Sequence, residues 1–206
     1  MGFKIIKFFA YLSLFIFPYS MTAYLRKLIA IFLSCRFALL TKKCGKVYLQ
    51  TPFYVKGHRY IHIGNNFIAC PGFRIECWDK YENEVYTPSI VIGDNVCFNF
   101  YCHVGAINKI IIGNNVLVGS HVLITDHFHG KTSKDELLIP PSKRKLYSKG
   151  SVIIENDVWI GEGVCVLPNL TIGHNSIIGA NSVVTHDIPP YSVVAGNPAK
   201  ILKTIE

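Results

Sequence analysis

Residues 122–130 read VLITDHFHG, which sets one carboxylate, Asp126, and two imidazoles, His127 and His129, within four positions. A free imidazole titrates near pH ~6.5, so much of it is neutral at cellular pH and able to take a proton. A base of this kind, once positioned, typically contributes about 10²–10⁴-fold to a rate. A carboxylate beside the ring helps to stabilise imidazolium as it forms. On an extended segment, positions i and i+2 point the same way, so both rings are candidates for one task. Two other readings use the same residues. With His121 and His103 they suggest metal ligation, but no spaced carboxylate or cysteine completes a recognisable set, and no metal is expected. The plainest alternative is a surface histidine in a polar loop.

The elements that must hold these residues follow a period of six. Apolar residues open successive hexads at Ile92, Phe98 and Val104, at Ile112, Val118 and Ile124, and from Ile154 through Ile160, Val166, Ile172 and Ile178 to Val184. Two positions before each opener stands another apolar or small residue, such as Ile90, Val116 or Ser176. Neither a 3.6-residue helical period nor long-range alternation gives that spacing. Glycine follows many openers, with Asn or Asp close behind, so a turn recurs in every hexad. The pattern predicts a parallel β-helix in which three short strands and three turns make one triangular coil around stacked aliphatic side chains. Ile63, Ala69 and Ile75 extend the beat backwards before the hydrophilic stretch WDKYENEVYTPS. Stacked coils pair their backbones with coils above and below, so interruptions mark loops that leave the array. The largest interruption begins directly after VLITDHFHG and runs through KTSKDELLIPPSKRKLYSKG, a length typical of functional or disordered loops.

The 206 residues are enough for one main domain. Half are hydrophobic and 17% charged, yet the formal charge is +8, which favours anionic partners. No zinc-finger spacing, helix-turn-helix pattern or aromatic RNA-binding signature accompanies that charge, so phosphorylated small molecules and anionic lipid are expected rather than nucleic acid. Seven cysteines without a C-x-x-C pair argue against a disulfide framework and fit a reducing cytosol. Residues 1–45 form a separate apolar and basic helical segment, interrupted by Pro18. Its apolar runs are too short for a clean membrane span, and a signal peptide fits only loosely because Lys7 breaks the apolar stretch. Helices lying on an anionic membrane surface and helices capping the protein or a sister subunit both fit this segment.

The stretches VIGDNVCFNFYCHVGAINKIIIGNNVLVGSHVLITDHFHG, NDVWIGEGVCVLPNLTIGHNSIIGANSVVTHDIPP and VVAGNPAKILK resemble the hexapeptide-repeat acyltransferases. The resemblance is strongest to bacterial surface-polysaccharide O-acetyltransferases and extends over roughly residues 60 to 203, within a domain taken as 46–206. It implies an all-β, left-handed parallel β-helix, a homotrimer with sites in the grooves between subunits, and acetyl-CoA as acyl donor. The handedness comes from the resemblance alone, because ordinary parallel crossovers are right-handed.

The same resemblance assigns residues. His127 matches the general base that deprotonates the acceptor hydroxyl, with His129 in reserve. Asn99 matches an acceptor-binding asparagine, although an ordinary turn asparagine is equally compatible. Asp126 either holds the acceptor or tunes the histidine. Trp159 matches a ring beside the donor arm or acceptor, with core or interface packing as its alternative. Glu162 supplies the position whose backbone N–H faces the thioester carbonyl, though relatives often carry a smaller side chain there. Ala180, Thr185 and His186 match the pantetheine channel, and Lys200 and Lys203 match cations that meet coenzyme A phosphates. Glu76 and the acidic residues of the 78–84 excursion read either as sugar contacts or, as for most polar loops, as solvated residues.

The function implied is acetylation of a sugar hydroxyl in surface-polysaccharide or lipid-linked glycan synthesis. It would take place in the cytoplasm or, through the N-terminus, at the inner face of the cytoplasmic membrane. Inactivation of a small hydroxylated antibiotic by the same chemistry, and a non-catalytic binding scaffold, are the alternatives.

Overall fold

A computed structural model describes residues 2–16 and 18–205 of the chain. From Lys43 onwards the chain visits three sheets in rotation and returns to the first one coil further along. The first face stacks six parallel strands, Lys43–Cys44, Ile61–Ile63, Ser89–Ile92, Lys109–Ile112, Val152–Ile154 and Leu170–Ile172. The second runs from Val47–Leu49 through Phe67–Ala69 to Ile177–Ile178 and Ser192–Ala195, and the third from Phe53–Lys56 to Val183–Val184. A final antiparallel strand, Lys200–Thr204, closes the second face.

Register explains the six-residue beat. Ile63, Ile92, Ile112, Ile154 and Ile172 lie directly over one another on the first face. Ala69, Phe98, Val118, Ile160 and Ile178 do so on the second, and Ile75, Val104, Ile124, Val166 and Val184 on the third. All are buried in one continuous core. Each strand therefore needs only two or three residues, and side chains two apart both point inward. Stacking at the usual strand spacing of about 4.8 Å brings identical aliphatic shapes into contact coil after coil.

Along the edge between the first and second faces, two jobs in the turn fall to different residues. The left-handed conformation belongs to Asn66, Asn95, Asn115 and Asp157, at φ 57°, 58°, 57° and 60°. Their side chains form a ladder, with each amide donating to the next coil at 2.9–3.0 Å. The glycine two residues before Asn66, Asn95 and Asn115 is needed for close approach: a Cβ on Gly93 would lie 2.8 Å from the carbonyl oxygen of Gly113.

Two helices precede the coils, α1 (Gly2–Ile16) and α2 (Tyr19–Leu40). Helix α2 turns Ala30, Ser34 and Phe37 onto the open end of the core, and Ser34 Oγ accepts from the N–H of Leu49 at 2.8 Å. Phe37 thereby joins the core cluster and caps it. Helix α1 leaves Phe3, Phe8, Phe9 and Phe15 exposed. Among the described residues no helix is long and apolar enough to cross a membrane.

Candidate active site

Every large departure from the six-residue beat falls on one edge of the prism, where the third face passes to the first. Residues 78–88 leave the array there after strand Phe73–Cys77, two extra residues follow His103–Ala106 one coil on, and the 126–151 loop follows Leu123–Thr125. The first and last of these excursions dock on each other. Tyr81 Oη donates to the carbonyl of Ser142 at 2.8 Å, and Tyr86 Oη to that of Leu146 at 3.1 Å. Lys143 and Lys145 pair with Glu82 and Glu84 across the same seam.

Asp126 sits at the root of the loop and is wholly buried. One carboxylate oxygen accepts from the N–H of Ile107 at 2.9 Å and from His127 Nδ1 at 3.0 Å, and the other accepts from the N–H of Asn108 at 2.8 Å. It therefore stitches the widened corner of the preceding coil while it orients the histidine. The acceptor-binding role suggested for Asp126 from sequence does not hold, because its oxygens are spent on the protein and closed to solvent. A carboxylate can only accept, so Nδ1 of His127 carries a proton, and in the neutral ring it is Nε2 that presents the lone pair. Among the described residues Nε2 has no protein partner, and the His127 side chain is 14% exposed.

His127 faces a chamber of about 170 Å³ that also takes in Thr125, His129, His103, Glu76 and Arg74. Trp78, Tyr81 and Leu146, from the two docked excursions, complete its wall. Gly105 makes room for the paired rings: a Cβ there would lie 3.3 Å from His103 Nε2 and 3.5 Å from His127 Cε1. Opposite, Glu76 is buried and accepts from Arg74 at 2.6 Å and from His103 at 3.0 Å. Burial opposes its charge, but the hydrogen bonds and charges of His103 and Arg74 outweigh burial and hold it down to about 2. Glu76 is thus a fixed part of the chamber, which removes the solvated-loop reading and leaves the sugar-contact one. Aromatic walls with polar edges suit a sugar ring, whose apolar faces stack while its hydroxyls seek hydrogen bonds.

Arg74, Trp78 and Tyr81 went unassigned in the sequence, and His103 was weighed only as a metal ligand. One signal pointed to them. Hexad openers come in threes (Ile63, Ala69, Ile75; Ile92, Phe98, Val104; Ile112, Val118, Ile124), and each break follows a third opener. Three faces per coil then stack all the breaks on one edge.

The remaining sequence candidates lie elsewhere on the protomer. Asn99 follows a second-face strand and donates from Nδ2 to the carbonyl of Val118 at 3.0 Å. Trp159 projects from the second face, 52% exposed, which removes core packing within the protomer as its role. Glu162 and Ala180 are exposed on the edge between second and third faces. Thr185 and His186, joined by a 2.7 Å hydrogen bond, follow a third-face strand two coils beyond His127. Lys200 and Lys203 are exposed on the closing strand. His129 shares the chamber with His127, and its ring meets Tyr81 edge-on at 5.5 Å.

Two buried thiols, Cys77 and Cys102, offer no competing nucleophile. Burial pushes Cys77 up to about 12 and Cys102 up to about 11, which keeps both protonated. Among the described residues no group of three or more His, Cys, Asp or Glu side chains is arranged to hold a metal ion.

Residues 151–186 match the family model for the bacterial transferase hexapeptide, six repeats. Over 159 residues the chain is 38% identical to "Putative lipopolysaccharide biosynthesis O-acetyl transferase WbbJ" of Escherichia coli K12, covering 75% of this chain and 77% of that protein. The chain belongs to the hexapeptide-repeat acetyltransferase family. Galactoside O-acetyltransferase of Escherichia coli K12 is 36% identical over 159 residues, covering 77% of this chain and 61% of that protein. The solved structure of galactoside acetyltransferase in complex with coenzyme A superposes with a TM-score of 0.55 at 29% identity, over 82% of this chain and 68% of that one. In this family member the chamber beside His127 is the candidate catalytic centre.

Proposed function

We propose that this protein is an acetyl-CoA-dependent O-acetyltransferase that modifies a sugar hydroxyl in surface-polysaccharide or lipid-linked glycan synthesis, with His127 as general base. The observation that carries the reading is the His127–Asp126 pair, with Nδ1 tied to a buried carboxylate and Nε2 open to a chamber built for a small polar guest. A hydroxyl in the chamber donates to Nε2, and its proton moves there as the oxygen attacks the acyl carbonyl. Asp126 stabilises the imidazolium, which then returns the proton to the departing thiolate. The thioester supplies the activated acyl group.

The residues for the donor fit it in kind. Lys200 and Lys203 offer exposed ammonium groups, Trp159 an exposed ring and Ala180 a small side chain beside its turn. These four lie on the second face and its edge with the third, whereas Thr185 and His186 share the His127 edge two coils further on. We infer a left-handed coil and a homotrimer, in which one protomer's His127 edge meets a neighbour's second face and brings Asn99, Trp159 and Glu162 to the chamber. In the same reading residues 1–45 are an appendage to a catalytic domain of residues 46–206. Helix α1 then rests on anionic lipid at the cytoplasmic face of the membrane. Residues 1–75 contain eleven Lys and Arg and no Asp or Glu, beside the exposed phenylalanines of α1.

The test is transfer of label from acetyl-CoA to a panel of free sugars, lipid-linked sugars and hydroxylated antibiotics. Labelled glycan, lost in His127→Ala, is the expected result. Label on antibiotics alone, or full turnover by His127→Ala, overturns the reading.

A further inference from the structure

The 126–151 loop encloses a second space that the catalytic reading leaves unused. It is a cavity of about 550 Å³ on the far side of the ribbon formed by Phe128–His129 and Leu146–Tyr147. His129 lines both spaces. Across the ribbon, Leu146 faces the small chamber and Tyr147 the larger cavity, as alternation along a strand requires.

The lining of this cavity is cationic. Lys131, Arg144 and Lys149 all reach it, and among the described residues none is paired with a carboxylate, whereas the neighbouring Lys143 and Lys145 both are. Lys131 Nζ sits 4.8 Å from the ring centre of Tyr147, and Lys149 Nζ 5.7 Å from that of Phe128. Arg144 spends two donors on the carbonyls of Ile139 and Leu137, and three of its five N–H groups remain. The carboxylate of Glu136 is turned to the backbone N–H of Lys131 at 2.6 Å. Three cations that make no salt bridge, against the single nearby carboxylate of Glu136, stand around aromatic rings and form a receptor for a multiply charged, oxygen-rich anion.

The geometry points to an acceptor that carries a phosphate or pyrophosphate ester: we propose that Lys131, Arg144 and Lys149 bind its phosphoryl oxygens while the attached sugar lies in the chamber beside His127. This inference rests on the acetyltransferase reading. His129, at the wall between the two spaces, stands where the ester linkage passes from one to the other. Two sources share this chemistry, a nucleoside diphosphate sugar and a polyprenyl pyrophosphate sugar.

The test compares one sugar in four forms, free, as its 1-phosphate, as a nucleoside diphosphate and as a short-chain polyprenyl pyrophosphate, using wild type, Lys131→Ala/Lys149→Ala and Lys131→Arg/Lys149→Arg. The wild type is expected to favour a phosphorylated form over the free sugar by at least tenfold in kcat/KM. The alanine pair should erase most of that preference and the arginine pair should retain it. Whichever diphosphate is preferred then identifies the source. Equal use of free and phosphorylated sugar by wild type, or an effect of the alanine pair confined to the KM for acetyl-CoA, overturns the proposal. Calorimetric titration of inorganic pyrophosphate into the donor-free protein needs no turnover. Binding lost in the alanine pair upholds the cavity even if no acetyl transfer is found, and absence of binding removes it even if free sugars are acetylated.

Discussion

Asp126→Asn isolates the reasoning about the catalytic pair. The substitution keeps the shape of a fully buried side chain and replaces one oxygen by an NH₂ group. If that group takes the place of the oxygen shared by Ile107 N–H and His127 Nδ1, the imidazole must move its proton to Nε2 to accept from it, and the base is lost. If it takes the other place, it meets the N–H of Asn108 donor to donor. The first arrangement orphans the buried N–H of Ile107, at a cost of about 1–3 kcal/mol in stability, and the second the part-buried N–H of Asn108, at a lower cost. Each also removes the charge that stabilises imidazolium. Loss of a base is worth about 10²–10⁴ in rate, or roughly 3–5 kcal/mol of barrier. The same exchange in a Ser-His-Asp triad drops kcat by about 10⁴. We expect kcat for labelled acetyl transfer to fall at least 100-fold, with little change in KM for acetyl-CoA, and a lower urea midpoint. A variant with kcat within threefold of wild type and a lowered midpoint would show that Asp126 only stitches the corner. The account of His127 as an oriented base would then be wrong.

His127→Ala should lose about 10²–10⁴ in kcat with an unchanged unfolding midpoint, whereas His129→Ala should act mainly on acceptor KM; the reverse pattern in initial-rate assays transfers the base to His129. Glu76 is held at about 2 against an ordinary 4.5, so its charged form contributes roughly 3 kcal/mol at neutral pH. Because the folded value is the lower one, that contribution is complete above about pH 4.5 and fades as pH falls through about 2. Urea midpoints measured between pH 7 and pH 3 should fall in wild type and change less in Glu76→Gln. Asn95→Ala removes two rungs of the corner ladder and puts alanine at φ 58°, which should cost about 2–3 kcal/mol by denaturant unfolding while leaving catalysis intact. Sedimentation with anionic phosphatidylglycerol vesicles, weakened by salt and lost when residues 1–16 are deleted, is expected from the first helix; equal binding to neutral vesicles would count against an electrostatic contact.

What the sequence determined by itself is everything that repeats. The spacing of Ile92, Phe98 and Val104 and of its later copies is enough to assign short parallel strands, an aliphatic core and a turn every six residues, because each coil meets only its neighbours and the rule is local. It also placed Asp126 and His127 at the break in that rule. What it left open was which of the breaks come together. Glu76, His103 and His127 are 27 and 24 residues apart in succession and become neighbours only because three faces make one coil and the coils stack at strand spacing. That Asp126 also stitches a corner was equally invisible, since its two backbone partners lie on the coil before it. The Gly and Asn of each turn were legible as a signature, but only the stack shows that Gly93 is needed because of the carbonyl of the next coil while Asn95 takes the left-handed angle. Local periodicity is written in side-chain polarity along the chain, whereas partners across coils depend on the lengths of the segments between them, and only the folded stack converts those lengths into contacts.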